Sequence, residues 1–466
     1  MATYLSASKG RDSQVARVAL ATIAALFLRS VLDFVYVNYV HRYFGGSLTA
    51  GAFPMDEINP WRVLESYVLV FLLAMWLSSS LYRRWRPSGI ALVLYFAIVM
   101  LPLTSLYGLA GAPPAFIYAA AGSFAVLLIV TGLLPRVKVP RPDHNLLAMG
   151  TLLLVGMSVY VYGTLLLRGG LERLNFDLLA VYEVRAEFVQ TRAPMMGYFV
   201  PWQAYVLNIT LFCWGLAGRK WWLVAAAVAA SLFLFGMVGV KAYLFAPALA
   251  GGVYFLWHRR QALFYVIGGM AVLVIASYVL FLVSGNDLAL SLLVRRLFFV
   301  PAANHLIYYD FFSQPDHPFV MLSNSILEGF VRYPYDMPMV RMIAWEYWGR
   351  DFSPNVGYLG DAFAQFGFMG MFLFSMLFGL FLRIVDSVGA RLPGNLVAAV
   401  VVMPAMALTN SALFTSLLTH GWIPAVVLLW LLRVVEEKRS IARKVKRVEV
   451  WPQQHTGAAS SYPQRS

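Results

Sequence analysis

Five basic side chains stand out because they lie in the segments that connect long apolar runs. Arg185 and Arg192 are seven residues apart, about two helical turns, so a helix would present both on one face. Arg295 and Arg296 are adjacent, and Lys241 follows a tight turn. Guanidinium groups match phosphate oxygens, and such charge-assisted bonds strengthen where water is partly excluded. The five cations therefore predict a site for a diphosphate.

An alternative explanation is that these cations serve the fold. They could pair with nearby acids or extend toward lipid headgroups, and exposed pairs of that kind contribute little. The sequence leaves both explanations open. The acids in the same polar segments are Glu172, Asp177, Glu183, Glu187, Glu328 and Asp336.

Composition assigns the chain to the membrane proteins, since 60% of its 466 residues are hydrophobic and only 12% are charged. The apolar runs are continuous rather than alternating, which predicts helices and excludes a β-barrel. Cys213 is the only cysteine, so an intramolecular disulfide and a cysteine-based metal cluster are excluded. The predicted fold class is an all-α polytopic membrane protein.

The apolar runs predict about twelve transmembrane helices. The first run is too long for the core of a signal peptide and is expected to remain as a membrane anchor. The predicted spans are 15–40, 61–81, 89–109, 114–134, 146–167, 199–217, 221–239, 242–257, 261–283, 367–385, 394–411 and 413–433.

Lys and Arg concentrate in the breaks that follow even-numbered spans, such as 82–89 and 135–145. By the positive-inside rule both termini are expected in the cytoplasm, and the net charge of +14 needs no nucleic acid to explain it. Residues 1–433 are predicted to form one integral membrane domain, followed by a basic cytoplasmic tail, 434–466. The predicted periplasmic segments are 42–60, 168–198 and 284–366.

The largest of these segments, 284–366 between spans 9 and 10, is expected to be partly helical. Residues 290–312 and 318–331 are apolar at helical spacing and are predicted to lie along the outer membrane interface. A segment of this length with this composition is more typical of a functional loop than of disorder.

The order of these features resembles the oligosaccharide repeat-unit polymerases, the Wzy-type enzymes that polymerise O-antigen and related glycans on the outer face of the bacterial inner membrane. The most specific match is "NVGYLGDAFAQFGFMG", residues 355–370, ahead of the tenth span. The resemblance covers about residues 180–385. The other matching segments are "YEVRAEFVQTR", "GVKAYLFAPAL" and "VRRLFFVPAAN".

The resemblance implies glycosyl transfer between two undecaprenyl-diphosphate-linked glycans, giving O-antigen or a related surface polysaccharide or exopolysaccharide. The growing chain leaves its lipid diphosphate as a hydroxyl of the incoming repeat unit attacks its anomeric carbon. This reaction needs charge stabilisation for the diphosphate and a base for the hydroxyl. The residues expected to bind the diphosphate are Arg185, Arg192, Arg295, Arg296 and Lys241.

His305 and Asp361 are the candidate catalytic bases, with Glu183 and Glu328 behind them. The unperturbed pKa of histidine suits the role, although "AANHLIYY" around His305 also suits a packed histidine on an apolar face. Asp361 either caps the helix that follows it or faces the reaction cavity.

Asn355, Gly357 and Gly360 are expected to contact the glycan, because glycine lets the backbone approach a substrate or a neighbouring helix closely. Trp345 and Trp348 carry flat rings that stack on sugars, although membrane interfaces attract tryptophan as well. The outer loops lack an Asp-x-Asp pair and any closely spaced ligand group, so metal-independent transfer without a cofactor is predicted.

The expected partners are lipid-linked oligosaccharides, membrane lipids, a chain-length regulator and a flippase. Two other functions remain open. An O-antigen ligase would share the outer arginines and the lipid-diphosphate donor, but its acceptor is the lipid A core of lipopolysaccharide. A transporter of polysaccharide or lipid-linked sugar would usually show internal repeats and broken helices near the membrane midplane, and neither is visible in the sequence.

Overall fold

The computed structural model describes residues 2–46, 53–55, 57–259 and 261–436. Within these residues the chain is helical, without a strand element, and ten helices are long and apolar enough to cross a membrane. The prediction of an all-α, multi-pass membrane protein is confirmed. The predicted tail 434–466 lies outside the described residues from 437 onward.

The ten long helices are Ser13–Phe44, Pro60–Arg83, Gly89–Leu109, Pro114–Leu133, His144–Leu167, Trp221–Val238, Ala262–Ser284, Leu288–Phe312, Tyr358–Arg391 and Leu413–Glu436. Two shorter apolar helices are Lys241–Leu256 and Gly394–Leu408. The other helical segments are Val181–Thr191, Met339–Trp348 and a run from Met196–Trp202 through Gln203–Leu207 to Asn208–Gly218.

Polar side chains fix where two of the long helices begin. The Asn59 side chain accepts hydrogen bonds from the backbone N–H groups of Trp61 and Arg62, at 3.0 and 3.3 Å. Asp143 accepts from the backbone N–H of Leu146 at 2.7 Å. Both caps satisfy N–H groups that have no partner inside the helix, so each helix starts at the boundary that its sequence marks.

The helix Leu288–Phe312 has the length of a membrane span, yet both of its ends lie at one end of the bundle. Asp287, just before it, accepts a 2.8 Å hydrogen bond from Tyr39 in the last turns of Ser13–Phe44. The ring centres of Tyr309 and Phe116 are 5.3 Å apart, and Phe116 lies at the start of Pro114–Leu133. Successive helices alternate in direction, so these contacts share one end, called here the loop end.

Residues 290–312 were expected on the membrane interface, and that expectation is wrong in one respect. The segment is helical, but all side chains from 301 to 308 are buried in the protein. An interfacial helix keeps one polar face in water. From 301 to 308 the helix is covered by protein on all sides, so this part of the segment belongs to the core.

The predicted helix at 318–331 is absent, and turns occupy this segment. Met321, Leu322 and Gly329 have φ values of 54°, 59° and 87°, in the left-handed region that a right-handed helix excludes. Val320 and Met321 instead donate backbone hydrogen bonds to Ala364 and Gln365, at 3.0 and 3.2 Å. The segment is therefore bound to the start of the next long helix.

That next helix, Tyr358–Val388, is a hairpin of two limbs. Its backbone breaks at Phe366 and at Gly367, where φ is 61° and ψ is −149°. The Tyr358 and Ser375 hydroxyls are 3.1 Å apart, whereas seventeen residues of straight helix would separate them by roughly 25 Å. A Cβ on Gly370 would collide with the carbonyl oxygen of Ala362. The first limb, 358–365, therefore folds back against the second, 368–388.

Candidate functional site

Four of the five predicted cations meet around one tyrosine at the loop end. The Arg296 guanidinium donates a 2.5 Å hydrogen bond to the Tyr182 hydroxyl, and the Arg185 guanidinium carbon lies 5.9 Å from the Tyr182 ring centre. Burial raises the pKa of Tyr182, but the hydrogen bond from Arg296 and the charges of Arg296, Lys241 and Arg185 outweigh it and lower the pKa overall. These residues, with Arg295, form what is called here the cation cluster.

A glycine turn brings the first two segments of the cluster together. Gly239 has φ 70°, and a Cβ there would press on the backbone of the helix Val181–Thr191. The Arg185 guanidinium donates to the Gly239 carbonyl at 2.9 Å. Because Lys241 is two residues further on, this contact fixes Lys241 beside Arg185.

The third segment is π-helical from Ser291 to Phe299, an irregularity often found at functional sites. Arg295 lies 4.1 Å over the Phe44 ring and bonds to the Ser291 hydroxyl at 3.1 Å. The charges of Arg296 and Asp287 both act on the Arg295 guanidinium. Arg295 therefore stands at the edge of the cluster, next to Arg296.

Among the described residues, the cluster cations form no ion pair within 4.0 Å; the three pairs found there are Arg29 with Asp33, Arg341 with Asp351, and Arg383 with Asp386. The alternative explanation that the cations pair with neighbouring acids therefore does not describe the cluster. Four positive charges that gather without an ion pair, in the part of the chain that the structure describes, favour binding of an anion.

Arg192 does not join the cluster, and the expectation that it shares a helix face with Arg185 is wrong. The helix ends at Thr191, and Arg192 has the extended conformation φ −63°, ψ 126°. The sequence signals this end, because Pro194 disfavours a helical conformation at Ala193 and helices usually end ahead of such a residue. The Arg192 guanidinium lies beside Gly197 instead.

A cavity of about 240 Å³ opens beside Asp361, whose side chain is only 3% exposed. Gln365, one turn further along the first limb, donates to one Asp361 carboxylate oxygen at 3.2 Å. The other oxygen has no hydrogen-bond partner within the described part of the chain. Gly357 stands at the N-terminal end of the limb, and no side chain caps this end. Asp361 therefore does not cap the helix and faces the cavity instead.

A larger cavity of about 840 Å³ adjoins the first, since Asn324, Met339 and Val340 line both. Polar and aromatic side chains dominate its wall. Amides and carboxylates bond to hydroxyl groups in both directions, and phenol rings offer flat apolar faces. Those that line it include Glu328, Arg332, Tyr333, Tyr335 and Asp336.

His305 is a packed histidine, the alternative that its sequence setting suggested. It is fully buried, with Nδ1 2.6 Å from the Pro301 carbonyl and Nε2 3.5 Å from the Tyr95 hydroxyl. Gly357 packs directly on its ring. Of the two candidate bases, Asp361 lines a cavity and His305 is not among the residues lining either one.

The predicted glycan-contacting residues divide in the same way. Asn355 lines the smaller cavity and accepts a 2.7 Å hydrogen bond from Asn304. Gly357 and Gly360 are buried against His305, so their small size serves helix packing. Trp348 packs edge-on against a phenylalanine and Trp345 is about half exposed, and neither is among the cavity-lining residues.

The cation cluster and the cavities are separated along the helix Leu288–Phe312. Arg296 belongs to the cluster and Tyr308 lines the Asp361 cavity. These positions are twelve residues apart, which corresponds to roughly 15–18 Å of helix. The two sites therefore share one end of the protein and are not in contact.

Three contributors to these sites were missed from sequence: Tyr182, Asn324 and Gln365. Gln365 carried a signal, since it stands four residues after Asp361 on a helix. Tyr182 and Asn324 had none, because their roles depend on segments that meet only after folding.

Comparison of this chain with known family models, with curated proteins and with solved structures gives no match.

Proposed function

We propose that this protein is a membrane glycosyltransferase of the Wzy type, which polymerises undecaprenyl-diphosphate-linked repeat units into O-antigen or a related surface polysaccharide. The observation that carries the proposal is the cation cluster, in which four cations from three distant segments surround Tyr182 and form no ion pair with any described residue. A diphosphate bound there would gain on the order of 1.5–3 kcal/mol per charge-assisted bond.

The proposed orientation has the loop end in the periplasm and both termini in the cytoplasm of the bacterial inner membrane. The opposite end of the bundle carries the basic turns, as the positive-inside rule requires for a cytoplasmic face. These turns contain Arg83, Arg84, Arg86, Arg136 and Arg259.

About twelve spans are proposed, with 284–366 as a large, partly helical periplasmic segment between spans 9 and 10. The helix Leu288–Phe312 returns to the end where it starts and adds no crossing. The shorter helices Lys241–Leu256 and Gly394–Leu408, together with 196–218, supply crossings that length and hydropathy alone do not count.

For the chemistry, we propose metal-independent transfer with Asp361 as the base. Its free carboxylate oxygen on a cavity wall supports this role, whereas both ring nitrogens of His305 already face protein oxygens. A carboxylate takes the proton of an attacking hydroxyl only if the hydroxyl can reach it, and the cavity provides that access.

A transporter of lipid-linked sugar is the second candidate, because the hairpin at 358–388 is a broken helix inside the bundle. Transporters use such breaks to coordinate substrates and ions. In this chain, however, two carbonyls at the break, those of Ala364 and Gln365, already accept hydrogen bonds from Val320 and Met321. The break is closed by the protein itself, which favours the glycosyltransferase.

The deciding experiment is a gel of surface glycans from cells that lack the gene. Loss of long chains with one repeat unit still on the acceptor supports a polymerase, and loss of all attached glycan supports a ligase. An unchanged ladder would refute both and favour the transporter.

Complementation then tests the cluster. Arg185→Ala and Arg295→Ala should each abolish long chains at unchanged protein level. Arg341→Ala is the matched control, since Arg341 is exposed and already paired with Asp351 at 3.4 Å. Normal ladders from both cluster variants would contradict the diphosphate role.

A further inference from the structure

The distance between the two sites conflicts with their acting on the same bond. In the proposed reaction the leaving diphosphate is attached directly to the anomeric carbon under attack. A base for the attacking hydroxyl must therefore lie within a few ångströms of that diphosphate. Arg296 of the cation cluster and Tyr308 of the Asp361 cavity are twelve residues apart on one helix, which places their backbones roughly 15–18 Å from each other along it. This spacing favours a different diphosphate as the group that leaves beside Asp361.

The proposed reaction nevertheless involves two diphosphates, one on each substrate. The acceptor attacks with a hydroxyl on a sugar of its repeat unit, while its own diphosphate stays intact at the other end of that unit. Such a molecule requires that the site for its diphosphate and the site for its attacking hydroxyl be separated by more than the length of one sugar ring. The two sites therefore match the two ends of one acceptor.

Packed aromatic rings hold the two sites at a fixed spacing. The charge of Arg185 acts on the phenols of Tyr205 and Tyr243, whose rings are 5.2 Å apart. Tyr205 also lies 6.4 Å from the His420 ring. The backbone of His420 bonds to Thr415, which lines the Asp361 cavity. Rings packed in this way move little, so the spacing is set by the fold.

We infer that the cation cluster anchors the diphosphate of the incoming, lipid-linked acceptor, and that the Asp361 cavity receives the far sugar of the same repeat unit. This inference rests on the proposed function. Asp361 meets the requirement for the second role, because its side chain is 97% buried, lines the cavity and has one carboxylate oxygen free. The larger adjoining cavity is left for the donor glycan.

The acceptor O–H bond breaks, and its proton moves to the free oxygen of Asp361. The acceptor oxygen bonds to the anomeric carbon of the donor as the bond from that carbon to the diphosphate oxygen breaks. The electron pair leaves with the diphosphate, opposite Arg332, an exposed cation on the adjoining wall. Asp361 then releases its proton to water.

The test compares two acceptors in the purified full-length protein in detergent. One is the native lipid-linked repeat unit. The other is the same oligosaccharide released from its lipid by mild acid, labelled at its reducing end and supplied at high concentration. Lipid-linked polymer serves as the donor in both reactions. The variants are Arg296→Gln, Arg332→Gln and Asp361→Asn, and Arg341→Gln is the matched control.

Arg296→Gln should lose about 10- to 100-fold in kcat/KM with the lipid-linked acceptor, through KM, because one charge-assisted bond to the diphosphate is lost. With the lipid-free acceptor it should equal the unsubstituted protein. Asp361→Asn and Arg332→Gln should lose kcat with both acceptors.

An equal loss by Arg296→Gln on the lipid-free acceptor would overturn the inference and assign the cluster to the leaving group. Full activity of Asp361→Asn would overturn it as well. These results differ from a failure of the proposed function, in which the unsubstituted protein makes no polymer from either acceptor.

Discussion

Replacing Gly367 with alanine tests whether the hairpin at 358–388 builds the Asp361 cavity. Gly367 combines φ 61° with ψ −149°, a conformation that essentially only glycine adopts. Alanine favours the continuous right-handed helix instead. A straightened helix would reclaim the carbonyls of Ala364 and Gln365, which now accept hydrogen bonds from Val320 and Met321. The segment that carries Asn324 would then lose its attachment.

The size of the effect follows from the local geometry. The strained backbone costs about 1–3 kcal/mol when a side chain is present. The added Cβ would also lie 3.0 Å from the Phe319 ring, which has to shift by a few tenths of an ångström. Alanine restricts the unfolded chain and recovers about 0.4–1 kcal/mol. The net destabilisation of Gly367→Ala is therefore about 1–2 kcal/mol.

The stability assay is unfolding in mixed micelles of increasing SDS fraction, and the functional assay is the surface-glycan ladder. Gly156→Ala is the control, because a Cβ at Gly156 meets no atom within 4 Å. We expect Gly367→Ala to unfold at a lower SDS fraction and to lose long chains, while Gly156→Ala stays normal in both assays. If the two variants behaved alike, the hairpin would not support the cavity as argued.

Three further predictions follow from buried or perturbed groups. Because the surrounding cations lower the pKa of Tyr182, one phenol should ionise below the normal tyrosine range in an absorbance titration at 295 nm, and Tyr182→Phe should remove that step. Arg29→Leu leaves the carboxylate of Asp33 without its buried ion pair and should destabilise the protein by about 3–5 kcal/mol, measured by the SDS midpoint. Gln365→Leu strands the backbone N–H of Leu322, now 2.7 Å from the Gln365 side chain, and should cost about 1–3 kcal/mol.

The cation cluster was predictable from sequence because charge on the less basic side of a membrane protein is a composition signal. Its one error, Arg192, came from extending a helical spacing beyond Thr191, where the helix ends ahead of Pro194. The predicted tenth span began at residue 367, which is the break in the hairpin. A long apolar run can be recognised in a sequence, whereas the polar first limb gives no such signal.

What sequence could not give was the reversal of the chain at Gly367. Periodicity describes one element at a time, and the partners of Asp361 come from the limb, the turns at 318–331 and the segment near Thr415. The burial of 290–312 was missed for a related reason. An apolar helix beside a membrane and an apolar helix inside a bundle have the same composition, and only the neighbouring helices distinguish them.

The burial of Leu288–Phe312 also places a demand on biogenesis. Insertion into a bilayer responds to length and hydropathy, and this helix satisfies both. It packs against Gly89–Leu109, a helix enclosed on all sides by protein. A crossing by Leu288–Phe312 would invert every later segment, Asp361 included. Packing against Gly89–Leu109, in the first third of the chain, is the contact that holds this helix inside the protein instead.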